Sequence, residues 1–105
     1  MRNDTETSHI LDLVKHFIAT EKELYPIVEA YLFGSWAYGS PGEDSDIDVG
    51  IIVDGEVGPS MESSIFSDAQ DLNRRLETHV FSRTYFETAR RSMVYDMKQK
   101  GIRIA

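Results

Sequence analysis

Two aspartates separated by one residue, Asp46 and Asp48, follow a Gly34-Ser35 pair with ten residues between. In an extended strand, residues i and i+2 project from one face. Two carboxylates held that close repel each other unless water or a cation neutralises them. Hard oxygen ligands of this kind suit Mg²⁺ or Mn²⁺, with phosphate oxygens and waters completing the shell. Ile47 and Val49 point the other way, so the strand has one packed face and one chemical face. Gly34 can end a strand and let the backbone approach a ligand. Ser35 puts a hydroxyl where a helix can begin, and N–H groups at a helix start attract anions. Each half also has a bland reading. Many Gly-Ser turns bind nothing, and an Asp-x-Asp at a strand start is commonly a solvated turn.

The two halves together are more specific. Gly34-Ser35-Trp36-Ala37-Tyr38-Gly39, then Ser45-Asp46-Ile47-Asp48, give the pattern G-S-x-A-x-G-x(6)-D-x-D. This pattern resembles the DNA polymerase beta-type nucleotidyltransferases. It is most similar to their minimal, stand-alone domains, the MNT proteins. The motif region spans residues 31–53, and the order of elements extends the resemblance over about residues 10–104.

The resemblance implies a polymerase beta-like fold and transfer of a nucleoside monophosphate, with ATP as the commonest donor. By position, Gly34, Ser35 and Ser45 would serve the triphosphate. Asp46 and Asp48 would be the first two metal-binding, catalytic carboxylates. A third carboxylate is expected on a neighbouring strand, where this chain has Glu77 in place of the more usual aspartate. Two Mg²⁺ or Mn²⁺ ions about 3.5–4 Å apart would bridge the α-phosphate and the attacking oxygen. Catalysis would then be mostly positioning and charge neutralisation. The acceptor platform would come from elsewhere: a helical HEPN-type protein, as for MNT antitoxins that transfer AMP to a HEPN toxin, a second copy in a homodimer, or the substrate itself. The alternative is a non-catalytic module of the same fold that binds nucleotide or masks a partner.

Other residues carry weaker signals. His79, two residues after Glu77, can face the same site or serve as an ordinary strand histidine. His9 and His16 read as surface. Trp36 and Tyr38 can stack on a base, but helix-to-sheet packing is the better reading. Tyr85, Phe86 and Tyr95 read as core or interface. Glu43 and Asp44 read as loop charges, and Arg74, Arg75, Arg90 and Arg91 as solvated helix faces.

These residues need a scaffold. Residues 8–22 have helical spacing through Ile10, Leu13, Val14, Phe17 and Ile18, with Thr7 or Ser8 as N-cap. Residues 26–33 and 46–53 read as strands on either side of a Gly- and Pro-containing turn, with a short helix over 35–38. A second long helix is expected over 61–76 through Ile65, Ala69, Leu72 and Leu76, and a third strand over 77–81. A single last helix is expected over 84–99 with Phe86, Ala89, Met93 and Met97 inward, stopped by Gly101, and IRI can add an edge strand. The order α-β-(α)-β-α-β-α-(β) predicts an α/β (α+β) domain over 1–105, a small mixed sheet of three to four strands covered by helices.

Composition sets the outer limits. The 105 residues contain no cysteine, which excludes disulfides, thiolate metal sites and a cysteine nucleophile. No apolar run approaches the roughly 20 residues of a membrane span, and the polar start MRNDTETSH does not read as a secretory signal. A cytoplasmic protein that binds no membrane is therefore expected. The formal charge is −7, which disfavours nucleic acid as a partner. Residues 83–105 depart from this, with six basic and two acidic side chains, a local +4.

Overall fold

The computed structural model describes residues 4–38 and 46–105. Its elements are α1 (Asp4–Glu21), β1 (Ile27–Phe33), α2 (Ser35–Tyr38), β2 (Ile47–Val53), α3 (Pro59–Leu72), β3 (Leu76–Ser82), α4 (Arg83–Thr88), α5 (Ser92–Lys100) and β4 (Ile102–Arg103). The strands form one mixed sheet in the order β3-β2-β1-β4. β1 pairs antiparallel with β2 and β4, and β2 pairs parallel with β3. This is the small, helix-covered mixed sheet that the sequence predicts.

Alternation along β2 divides the sheet into two faces. Ile47, Val49, Ile51 and Val53 are all fully buried in the larger core, against Val14, Phe17 and Ile18 of α1 and Ile65 and Ala69 of α3. The i, i+4, i+7 and i+8 spacing of Ile10, Val14, Phe17 and Ile18 makes the matching stripe on α1. Ile52 faces the other way, into a smaller core with Phe33, Phe86, Val94 and Met97. Gly50 lies on that second face, against the end of the Met97 side chain.

Several boundaries differ from the sequence reading. α1 starts at Asp4, so Thr7 and Ser8 lie within the helix and are not its cap. α3 starts at Pro59, which suits the first helical turn because its missing N–H has no partner to lose. It ends at Leu72, so Leu72 is exposed and Leu76 instead opens β3. The single last helix is two helices, α4 and α5, separated at Ala89–Arg91. No Gly or Pro marks that break, so the local sequence carries no stop signal. Both short helices reach the smaller core, α4 through Phe86 and α5 through Val94 and Met97. Val94 takes the inward place expected of Met93, which is exposed. Tyr85 and Tyr95 are exposed as well and are not core.

Candidate functional site

Two strand registers bring the motif together. The antiparallel pairing of β1 and β2 sets Phe33 opposite Asp48, so Gly34, the residue after β1, lies beside that aspartate. Gly34 has φ +75°, a left-handed conformation that side chains disfavour. A Cβ there would also stand 3.2 Å from Asp48 Cγ. Glycine is thus required twice over. Ser35 follows as the first residue of α2, whose turn is closed by the Ala37 N–H donating to Gly34 O at 3.1 Å.

The parallel pairing of β2 and β3 then sets Asp48 opposite Glu77 and Gly50 opposite His79. The start of β3 is fixed by the turn after α3. Gln70 Nε2 donates to Leu76 O at 2.8 Å, and the Arg75 N–H donates to Asn73 Oδ1 at 2.9 Å. His79 Nε2 lies 3.3 Å from Asp48 Oδ1 and 4.0 Å from Glu77 Oε1. One ligand atom from each of Asp48, Glu77 and His79 falls within 4.8 Å of the others. Phe33 holds the imidazole edge to face, at 5.3 Å between ring centres. Asp46 is exposed just before β2 and is joined to Glu77 by a carboxyl–carboxyl hydrogen bond.

The electrostatics of this cluster are those of a site short of positive charge. Partial burial raises the Glu77 carboxyl above its usual range, and its hydrogen bond to Asp46, which favours the protonated Glu77, and the negative charge of Asp48 add to the rise. His79 acts against it. Among the described residues no Lys or Arg pairs with Asp46, Asp48 or Glu77. Carboxylate oxygens are ligands that Mn²⁺ or Mg²⁺ accepts, whereas an imidazole nitrogen suits softer ions than Mg²⁺, and the negative charge of the cluster favours a cation. The donor set therefore fits a divalent metal.

The residues expected from sequence divide as follows. Gly34, Asp48 and Glu77 come together at one end of the sheet, Ser35 adjoins Gly34, and Asp46 reaches the group through Glu77. Ser45, Gly39, Glu43 and Asp44 lie outside the described residues. His79 joins the cluster more closely than its two-sided sequence reading suggests; the signal for it is its i+2 spacing from Glu77. Trp36 is buried, with the Arg75 guanidinium 5.2 Å over its ring, so it packs as expected. A cleft of about 710 Å³ stands away from the carboxylates. It lies at the far end of β2 and β3, beside Asp54, Ser82, Arg83 and Tyr85. A smaller one, about 430 Å³, runs along β3 past His79.

Comparison with known proteins bears on the family and the fold. No protein of curated function matches the chain. Among solved structures, a Sulfolobus solfataricus protein described as a "putative nucleotidyltransferase" superposes with TM-score 0.66 at 20% identity, over 92% of this chain and 80% of that one. A toxin–antitoxin structure with AMP-PNP gives TM-score 0.65 at 14% identity, over 87% of this chain and 72% of that one. The MntA–HpeT toxin–antitoxin, in a mutant with two Asp-to-Glu changes two positions apart, gives 0.63 at 12% identity with the same coverage, 87% and 72%. At such identities these likenesses show the fold. The nucleotidyltransferase domain family matches residues 14–100, a span that takes in both halves of the motif and Glu77. On that match the chain belongs to the nucleotidyltransferase domain family, of the polymerase beta type.

Proposed function

We propose that this chain is a metal-dependent nucleotidyltransferase that moves AMP from ATP to a hydroxyl of a protein or small molecule. The observation that carries this reading is the convergence of Gly34, Asp48 and Glu77 at one end of the sheet, across two strand pairings. Asp46, Asp48 and Glu77 are the carboxylates that hold metal, with His79 as a further ligand or a positioning group for Asp48. When bound, Mg²⁺ or Mn²⁺ supplies charge neutralisation for the triphosphate and makes the acceptor hydroxyl more acidic.

The chain's own residues have separable tasks in this reading. Gly34 lets the backbone pass close to Asp48 and to the phosphates. Ser35, with Ser45, donates hydrogen bonds to phosphate oxygens. A carboxylate of the trio accepts the proton of the acceptor hydroxyl. His79 orients the Asp48 carboxylate through its 3.3 Å contact.

The likeness to toxin–antitoxin structures, one of them with AMP-PNP, supports a helical HEPN-type protein as partner and acceptor. The Asp-to-Glu pair altered in one of them has the same spacing as Asp46 and Asp48, which supports their role.

The test is label transfer from α-phosphate-labelled ATP, with Mn²⁺ or Mg²⁺ and lysate of the source cell. A labelled acceptor that disappears with Asp46→Asn/Asp48→Asn is the expected result. Neutralisation of a partner by that double variant without ATP would favour the non-catalytic module instead.

A further inference from the structure

β3 is an edge strand, and its outer side is open over a short, defined stretch. The Ile47 N–H donates to Arg75 O at 2.7 Å, which fixes the parity of the parallel ladder. Glu77, His79 and Phe81 direct their backbone groups to β2, while Leu76, Thr78, Val80 and Ser82 direct theirs outward. Leu76 is already satisfied: its N–H donates to Asn73 O at 3.1 Å, and its O accepts from Gln70 Nε2 at 2.8 Å. At the other end Ser82 caps α4, its Oγ accepting from the Tyr85 N–H. Between them stand the N–H and C=O groups of Thr78 and Val80, and among the described residues no strand pairs with them.

Edge strands are usually protected by lysine, proline or a bulge. β3, LETHVFS, has no Lys or Pro, and its pairing with β2 runs without a register shift. The edge forms the floor of the cleft of about 430 Å³, which Thr78 and Val80 line. Its walls are Phe66 of α3 and Met93 of α5, 46% and 40% exposed. An open backbone edge between two exposed apolar side chains has the form of a strand-docking slot.

We propose that this slot is filled by the same edge of a second copy of the chain, giving a two-fold dimer with a continuous eight-stranded sheet. The open edge is self-complementary. An antiparallel pairing centred on His79 sets Thr78 of one copy opposite Val80 of the other, twice. Those are hydrogen-bonded pairs, and they use all four open groups of each copy and no group already engaged. Centring on Thr78 instead would oppose Val80 to Leu76, whose groups are taken. A two-fold axis normal to the sheet also keeps like faces together, so each Phe66 meets the other copy's α3 and each Met93 its α5. The pairing thereby buries apolar surface on both sides of the new ladder.

Sedimentation equilibrium tests this on the full chain, beside Thr78→Pro and Phe66→Glu. Proline at 78 removes an outward N–H and spares the β2 ladder. Phe66→Glu alters an exposed helix position and carries the test if the proline variant does not fold. The expected result is a wild-type dimer whose dissociation constant rises about tenfold or more in each folded variant. Amide exchange at Thr78 and Val80 slows as protein concentration increases. Phe66→Glu keeps its far-ultraviolet circular dichroism and its binding of Mn²⁺·ATP, which separates this proposal from the functional one. A wild type that stays monomeric at hundreds of micromolar overturns it, whether or not another protein uses the slot. So does a dimer that both variants leave intact.

Discussion

Gly34 and Asp48 occupy one space: where a Cβ on Gly34 would sit, the Asp48 carboxyl already stands, 3.2 Å away at Cγ. The positive φ of Gly34 turns the chain out of β1 and into α2 at that point. Backbone geometry and site geometry are therefore set by the same residue. Gly34→Ala is expected to cost about 1–3 kcal/mol of stability, from the left-handed conformation and the displaced carboxylate. Urea unfolding measures the first effect. Mn²⁺ titration measures the second and should show weakened binding even where the variant is fully folded.

Glu77 carries a cost in the absence of metal. Its carboxyl is raised above the usual range, and it hydrogen-bonds to Asp46 beside Asp48. Glu77→Gln removes one of three clustered carboxylates. The metal-free protein should gain roughly 0.5 kcal/mol, a modest figure because the group is nearly half exposed and screened. The stabilisation that Mn²⁺ gives the wild type should shrink or vanish. Melting curves with and without Mn²⁺ read both changes, and an unchanged Mn²⁺ response would remove Glu77 from the metal site.

His79 can be separated from the carboxylates by its consequences. If it ligates metal or orients Asp48 through the 3.3 Å contact, His79→Ala should weaken Mn²⁺ binding about 10- to 100-fold, as loss of an orienting partner does elsewhere. The fold should persist, because the ring is only partly buried. Isothermal titration with Mn²⁺ decides it.

Sequence made the chemical motif legible because its signals are local. Gly34-Ser35 and Asp46-x-Asp48 together form a family pattern within a short stretch, and the apolar run from Ile47 to Val53 shows the strand on which the aspartates lie. Glu77 was accessible as the carboxylate opening a third strand. The i+2 spacing of His79 from Glu77 puts both on one strand face, but its contact with Asp48 depends on the parallel register of β2 and β3, which local sequence does not show. The break between α4 and α5 was hidden for a similar reason: it has no Gly or Pro, and both halves serve one core. Met93 fits a helical stripe in sequence, but the break leaves it exposed and turns Val94 inward.

A second acidic pair lies between α1 and α3, away from the motif. Glu21 is 2% exposed, and burial, with the hydrogen bond to Asp68 and that residue's charge, pushes its carboxyl up to about 7. A raised carboxyl means the folded state holds the proton more tightly than the unfolded state. Stability from this group is thus full below the ordinary value of 4.5 and is lost as pH rises toward 7. Glu21→Gln should have little effect near pH 5 and should stabilise by about 1–3 kcal/mol at pH 8. Denaturant unfolding at the two pH values tests the sign.

The proposed hold of Asp46 and Asp48 on metal and nucleotide can be measured through the binding of Mn²⁺·ATP, followed by the loss of the free Mn²⁺ paramagnetic resonance signal. This requires no knowledge of the acceptor. The wild type should bind Mn²⁺ in an ATP-dependent way, and Asp46→Asn/Asp48→Asn, folded by circular dichroism, should not. A double variant that holds Mn²⁺·ATP as tightly as the wild type would remove both aspartates from the site.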